Sequence, residues 1–117
     1  MDRIDTLLAR EVAAIGDVSV RAALEHRLVS PRRVIRDWDY ADDVQHECWV
    51  IAEDPLTKTS IAYCDRGFGP ACPWGLLNMD SEFNEMGPDS AWYSRLEDAF
   101  RQSMMWDGEN PDDYVVQ

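Results

Sequence analysis

Apolar residues recur at helical spacing over the first thirty positions of the chain. Because residues three and four apart share one face of a helix, this spacing predicts an amphipathic helix over residues 3–15 and a second over residues 20–29. Gly16 suits the left-handed end of the first helix, and Asp17 or Ser19 can cap the start of the second. Pro31 disfavours helical backbone at Ser30, so the second helix is predicted to end there.

The spacing changes from helical to extended at Arg32. Four strands are predicted: one that begins at Arg32, then residues 48–52, 59–64 and 74–78. Short connections favour antiparallel pairing of consecutive strands. Helical spacing returns with Trp92, Leu96 and Phe100, which predicts a helix over residues 90–106. The predicted fold class is α+β, with N-terminal helices, a four-stranded antiparallel sheet, a C-terminal helix and a single layer of helices on one sheet face.

A chain of 117 residues is long enough for one hydrophobic core and too short for two ordinary domains. The hydrophobic fraction of 45% and the five Trp residues indicate a folded protein rather than a disordered acidic segment. We therefore expect residues 1–117 to form a single domain. Its parts are a helical region (3–29), an antiparallel sheet (32–78), a helix (90–106) and an acidic tail (107–117).

Acidic residues are concentrated in the last two thirds of the chain. The formal net charge is −12, but residues 1–36 carry +2 and residues 37–117 carry −14. A field of this sign repels nucleic acid and anionic membranes, and it favours a basic protein partner. Solubility alone is the competing explanation of the same charge.

Aromatic residues stand beside the first acidic run, and aromatic anchors surrounded by charge are typical of protein interfaces. On strict alternation, Trp38 and Tyr40 face away from Asp37 and Asp39, so only one of these two pairs is expected to reach a partner. Phe68 is the predicted anchor of a Gly- and Pro-rich loop over residues 66–73. The predicted partner-binding residues are Asp37, Trp38, Asp39, Tyr40, Asp42, Asp43, Glu53, Asp54 and Phe68.

The residue pattern predicts no catalytic residues, no metal site and no cofactor. His46, Cys48, Cys64 and Cys72 offer donors for a tetrahedral zinc site, but the sequence has no Cys-x-x-Cys pair. Cys48 and Cys64 also lie in predicted core strands, where a free cysteine behaves as a small apolar residue. The carboxylates between residues 37 and 54 have no Lys or Arg among them, which is typical of a solvated face rather than of a tuned catalytic acid.

The chain starts with charged residues and contains no apolar run of the roughly 20 residues that cross a bilayer. Its three Cys residues form no closely spaced pair, which is typical of reduced thiols. These features predict a cytoplasmic location. The dominance of Arg over Lys among the basic residues indicates a GC-rich bacterial genome.

Four stretches carry a resemblance to a protein family: residues 48–53 (CWVIAE), 61–70 (IAYCDRGFGP), 73–77 (PWGLL) and 96–100 (LEDAF). They resemble small acidic α+β immunity proteins of bacterial polymorphic-toxin systems. The resemblance implies that the chain binds a cognate toxin domain, often one with a basic cleft, and occludes or distorts its active site. It assigns no inhibitory residue.

Two other functions stay open at this point. One is an acidic DNA mimic or phage-type inhibitor of a nucleic-acid enzyme, which the charge would suit. The other is a small enzyme or a metal-binding protein.

Overall fold

The described residues, 2–80 and 84–117 of a computed structural model, form three helices and one antiparallel sheet of five strands. Helices α1 (Asp2–Ala13) and α2 (Val18–Glu25) come first. Strands β1 (Leu28–Asp37), β2 (Gln45–Asp54), β3 (Thr59–Tyr63) and β4 (Trp74–Asn78) follow, and then a 3₁₀ turn (Asp89–Ala91), strand β5 (Trp92–Tyr93) and helix α3 (Leu96–Arg101). None of the helices in these ranges is long and apolar enough to cross a membrane.

The strands lie side by side in chain order, and each pairs antiparallel with the next. Short connections between consecutive strands favour this arrangement. The predicted α+β class and antiparallel pairing are therefore confirmed. The register is given by the pairs Val34–Cys48, Trp49–Tyr63, Ile61–Leu76 and Gly75–Trp92.

The predicted number of strands and the predicted extent of the last helix are wrong. Residues 92–93 form a fifth strand, and the helix predicted over 90–106 covers only 96–101. The indole of Trp92 lies against Gly75, where a Cβ would overlap the ring, and its N–H donates to the Met86 carbonyl at 2.8 Å. This burial outweighs the helical spacing of Trp92 and Leu96, because the ring reaches Gly75 only from a neighbouring strand.

The second helix ends at Glu25 rather than at residue 29. Leu28 opens β1, where it pairs with Ala52, and the carbonyl of Arg27 accepts the Glu53 N–H at 2.9 Å. The hydrogen bonds of the sheet therefore replace those of a longer helix before Pro31 is reached. Pro31 is tolerated inside β1 because β1 is the first strand in the sheet order and lies at its edge.

Buried apolar side chains form two clusters. The first contains residues of all three helices together with Ile51, Ile61 and Trp74 of the sheet. The second joins sheet residues with side chains from the connecting segments: Cys48, Val50, Ala62, Cys64, Leu77, Met86 and Trp92, with Trp38, Phe68 and Cys72 packed against them. Connecting segments thus complete the second cluster, and they meet at one end of the sheet.

The C-terminal tail is held against α3 by the buried carboxylate of Asp98. This group accepts two hydrogen bonds from Arg95 (2.7 and 3.0 Å), one from the Tyr114 hydroxyl and one from the Gln117 N–H (3.0 Å). Burial opposes ionisation of Asp98, but the donated hydrogen bonds outweigh it and hold its pKa below the usual value. Burial and the hydrogen bond to Asp98 raise the pKa of Tyr114.

Candidate partner-binding site

The acidic turn (residues 37–44) connects β1 to β2 at one end of the sheet. The Trp38 N–H donates to the Val44 carbonyl at 2.8 Å and closes the turn. Asp43 adopts a left-handed conformation with φ of 60°, which Asp tolerates better than most residues. The conformation of the turn is therefore held by its own backbone.

An aromatic cluster (Trp38, Tyr40, His46, Phe68 and Trp92) lies beside the acidic turn. The Trp38 ring centroid is 5.1 Å from that of Tyr40, 5.3 Å from His46 and 4.8 Å from Phe68. Phe68 also contacts Tyr40 at 5.8 Å and Trp92 at 6.2 Å. Tyr40 is 59% exposed, whereas Trp38 and Phe68 are half-buried beneath it. The cluster thus presents one aromatic ring to solvent on a packed base.

Phe68 reaches the cluster through the Phe68 loop (residues 64–73), which connects β3 to β4. The Cys64 N–H donates to the Pro73 carbonyl at 2.8 Å and closes the base of the loop. Gly67 has a φ of +61°, and a Cβ there would stand 2.9 Å from the Trp38 ring. Glycine at this position therefore allows both the left-handed backbone and the close approach of the loop to Trp38.

The carboxylates of the acidic turn divide into two kinds. Asp37 accepts a hydrogen bond from the Gln45 side chain at 2.8 Å, and Asp39 accepts the Gly87 N–H at 3.2 Å. Asp42 and Asp43 are exposed, and their side chains form no hydrogen bond or ion pair with any described residue. The first two carboxylates hold local structure, and the second two are available to a partner.

Glu53 and Asp54 do not join the other predicted residues. They lie at the far end of β2, about 30 Å from its first residue at the usual rise of an extended strand. Asp54 is buried and accepts hydrogen bonds from the Leu56 N–H (3.2 Å) and the Thr57 hydroxyl (3.0 Å), which shape the next turn. Glu53 forms an ion pair with Arg32. The structure brings the remaining predicted residues, including Phe68, to one end of the sheet.

Two clefts flank Gln45 at this end of the sheet. One has a volume of about 490 Å³ and is lined by residues of the acidic turn and by Gln45. The other, of about 540 Å³, lies between the start of α1 and the facing ends of β2 and β3, and it is lined by Arg3, Ile4, Gln45, His46, Glu47, Trp49, Tyr63, Asp65 and Arg66. Arg3 donates to Asp65 at 3.3 Å and to the Tyr63 hydroxyl at 3.4 Å across this second cleft. Sequence reasoning missed Arg3 and Arg66, because only the folded chain brings them to one cleft with Gln45.

The positions of the possible zinc ligands differ from those of ligands grouped around a metal ion. Cys48 and Cys64 are buried in the second cluster, and the His46 ring packs on Trp38. Within residues 2–80 and 84–117, no three His, Cys, Asp or Glu side chains are grouped closely enough to hold a metal ion. A hydrogen bond to Cys64, together with burial, raises the pKa of Cys48, and the same hydrogen bond lowers the pKa of Cys64.

Comparisons of the chain with protein-family models, with curated proteins and with solved structures find no match. The aromatic and carboxylate groups at this end of the sheet have the chemistry that suits contact with a cationic surface. This end of the sheet combines an exposed ring at Tyr40 with the carboxylates of Asp42 and Asp43, which pair with no residue in the described part of the chain, on a turn whose shape is already set.

Proposed function

We propose that the chain binds a basic protein through the acidic turn and the aromatic cluster, and that the partner is a bacterial toxin domain whose active site it occludes. The observation that carries this proposal is the position of Tyr40, exposed on a packed aromatic base and next to Asp42 and Asp43. Aromatic anchors supply much of the affinity of an interface, and charges around them favour the correct partner.

The charge of the chain supports the same partner chemistry. Residues 37–117 carry a formal net charge of −14, and such a field accelerates the approach of a basic surface while it repels acidic ones. Fast association suits a protein that must neutralise a toxin before the toxin reaches its substrate. The association rate should therefore fall as the salt concentration rises.

The rigidity of the turn also favours tight binding. Hydrogen bonds from Trp38 to Val44, from Gln45 to Asp37 and from Gly87 to Asp39 order the segment before any partner arrives. Binding then loses little conformational entropy, and more of the contact energy appears as affinity.

The proposal extends to two further features of the chain. The three helices form a single layer on one sheet face, because their buried residues belong to the first cluster. The proposed site lies at the end of the sheet where connecting segments close the second cluster. The chain acts in the bacterial cytoplasm, where an immunity protein would meet its toxin.

A matched pair of charge variants tests the proposed site. The first combines Asp42→Lys with Asp43→Asn, since Asn tolerates the left-handed backbone at position 43. The second combines Asp112→Lys with Asp113→Asn, which makes the same change of charge on exposed residues of the tail. The measurements are growth rescue and binding affinity with any toxin domain that the neighbouring genes encode.

We expect the turn variant to weaken binding by about tenfold or more and the tail variant to change it by less than about threefold. An equal loss in both variants would show that only the total charge matters. Full affinity of the turn variant would remove the acidic turn from the interface. A neighbouring gene set with no toxin domain would count against the identity of the partner.

A further inference from the structure

Two buried cysteines lie near the end of β3: Cys48 is in β2, and Cys64 is the first residue after β3. Trp49 of β2 pairs with Tyr63 of β3. The ladder ends at this pair, and one further step of the same register places Cys48 opposite Cys64. Both side chains belong to the second cluster, and their exposed fractions are 0% and 1%.

The backbone hydrogen bonds show which kind of pair this is. The Cys64 N–H points away from β2 and donates to the Pro73 carbonyl on the β4 side. Cys48 and Cys64 therefore form a non-hydrogen-bonded pair, the kind in which Cα atoms lie about 4.5 Å apart and side chains are closest. Disulfides span Cα separations of about 4.4–6.8 Å, so this pair can be bridged with little movement of the backbone.

We propose that Cys48 and Cys64 form a reversible disulfide, a modification site that links β2 to the base of the Phe68 loop. The oxidant is hydrogen peroxide. The Cys64 sulfur attacks one peroxide oxygen, the O–O bond breaks, and water leaves with the thiol proton. The Cys48 sulfur then attacks the sulfenic sulfur of Cys64: an S–S bond forms, the S–O bond breaks, and the departing hydroxide takes the Cys48 proton and leaves as a second water. One peroxide is reduced to two waters as two thiols become one disulfide.

Cys64 suits the first step because its interaction with the neighbouring Cys48 thiol lowers its pKa and favours the nucleophilic thiolate. Burial slows access, so oxidation requires opening of the Phe68 loop. Cys72 is half-buried at the other end of this loop and is more accessible, which makes it the competitor that an experiment must distinguish.

Formation of the disulfide alters the base of the proposed binding site, and this consequence rests on the proposed function. In the reduced chain, the Cys64 thiol donates to the Arg66 carbonyl at 3.7 Å, two residues before Phe68. The disulfide turns the Cys64 sulfur toward Cys48 and removes that donor, so the start of the Phe68 loop loses its hydrogen bond to Arg66. Phe68 then shifts against Trp38 and Tyr40, and the oxidised chain binds the toxin domain about fivefold to tenfold more weakly, the effect of losing one aromatic contact.

Peptide mapping tests the modification directly, since trypsin separates the three cysteines. Cleavage after Arg36, Lys58, Arg66 and Arg95 leaves Cys48, Cys64 and Cys72 in the peptides 37–58, 59–66 and 67–95. The full chain is treated with hydrogen peroxide, alkylated with N-ethylmaleimide, and digested without reductant. We expect peptides 37–58 and 59–66 to be joined, with peptide 67–95 alkylated, and dithiothreitol to restore both thiols.

A link to peptide 67–95, or the absence of any link, would overturn the proposal. Cys72→Ser is the matched variant and must keep the link, whereas Cys48→Ala must abolish it while far-UV circular dichroism shows an intact fold. Binding of the reduced and oxidised Cys72→Ser variants to the toxin domain then tests the consequence. Equal affinities of the two forms would refute the claim that the disulfide controls the binding site. If neither form binds, the proposed function is refuted, and the peptide map still shows whether the disulfide forms.

Discussion

Replacement of Asp98 by Ala removes a buried carboxylate that ties the C-terminal tail to α3. Its partners are the two N–H groups of Arg95, the Tyr114 hydroxyl and the Gln117 N–H. Loss of a buried charged acceptor costs about 3–5 kcal/mol when its partners stay buried. The Arg95 side chain is 38% exposed and regains water, so we expect a loss near the lower end, about 3 kcal/mol.

Thermal and urea denaturation measure this loss. For a chain of this length, about 3 kcal/mol corresponds to a fall in Tm of roughly 10 °C. Asp112→Ala, on the exposed part of the same tail, is the control and should change the unfolding free energy by less than about 0.5 kcal/mol. A loss below about 1 kcal/mol in the Asp98 variant would refute the reasoning, because the network would then not hold the tail.

The acid dependence of stability provides a second measurement of the same group. The pKa of Asp98 is lower in the folded chain than its ordinary value, so the folded state favours the ionised form. Its contribution is fully present above the pKa of an unfolded Asp, about 3.9, and is lost as the pH falls from there through the lowered folded pKa. Asp98→Asn should remove the contribution of Asp98 to the pH dependence of the unfolding free energy. If the acid unfolding transition is unchanged in this variant, other carboxylates cause it.

Two further variants test the packing at the sheet end and the exposed ring. Gly75→Ala places a methyl group against the Trp92 ring, and we expect urea denaturation to record a loss of about 2 kcal/mol or more; wild-type stability would contradict the close contact. Tyr40→Ala removes a ring that is 59% exposed but contacts Trp38 and Phe68, so the unfolding free energy should fall by about 1 kcal/mol while affinity for the proposed toxin domain falls about tenfold or more. Unchanged affinity would exclude Tyr40 as an anchor.

Local patterns in the sequence predict the regular elements where periodicity and packing agree. The apolar run that includes Trp49 and Ile51 is a central strand, and the N-terminal helical spacing becomes α1 and α2. The pattern fails at Trp92, whose spacing with Leu96 is helical although its ring is buried against Gly75 in the sheet. That contact joins distant parts of the chain, and periodicity carries no information about it.

The candidate site shows the same division between local and distant information. The acidic turn is visible in the sequence as aromatic residues interleaved with Asp. The distinction between Asp39, which accepts the Gly87 N–H, and Asp42, which faces solvent, depends on a segment nearly fifty residues away. The strict alternation of an extended strand also stops at Asp37, where β1 ends. The rings of Trp38 and Tyr40 therefore contact each other within a turn.

Hydrogen–deuterium exchange of the chain, alone and in complex with a toxin domain of the proposed kind, tests the proposed binding surface most directly. Amides buried by a partner exchange more slowly, and the acidic turn and the Phe68 loop lie in separate parts of the sequence, so peptides report on each independently. We predict slower exchange in residues 37–44 and 64–73, with no change in residues 54–59 or in the tail. Protection confined to residues 54–59 or to the tail would contradict the account.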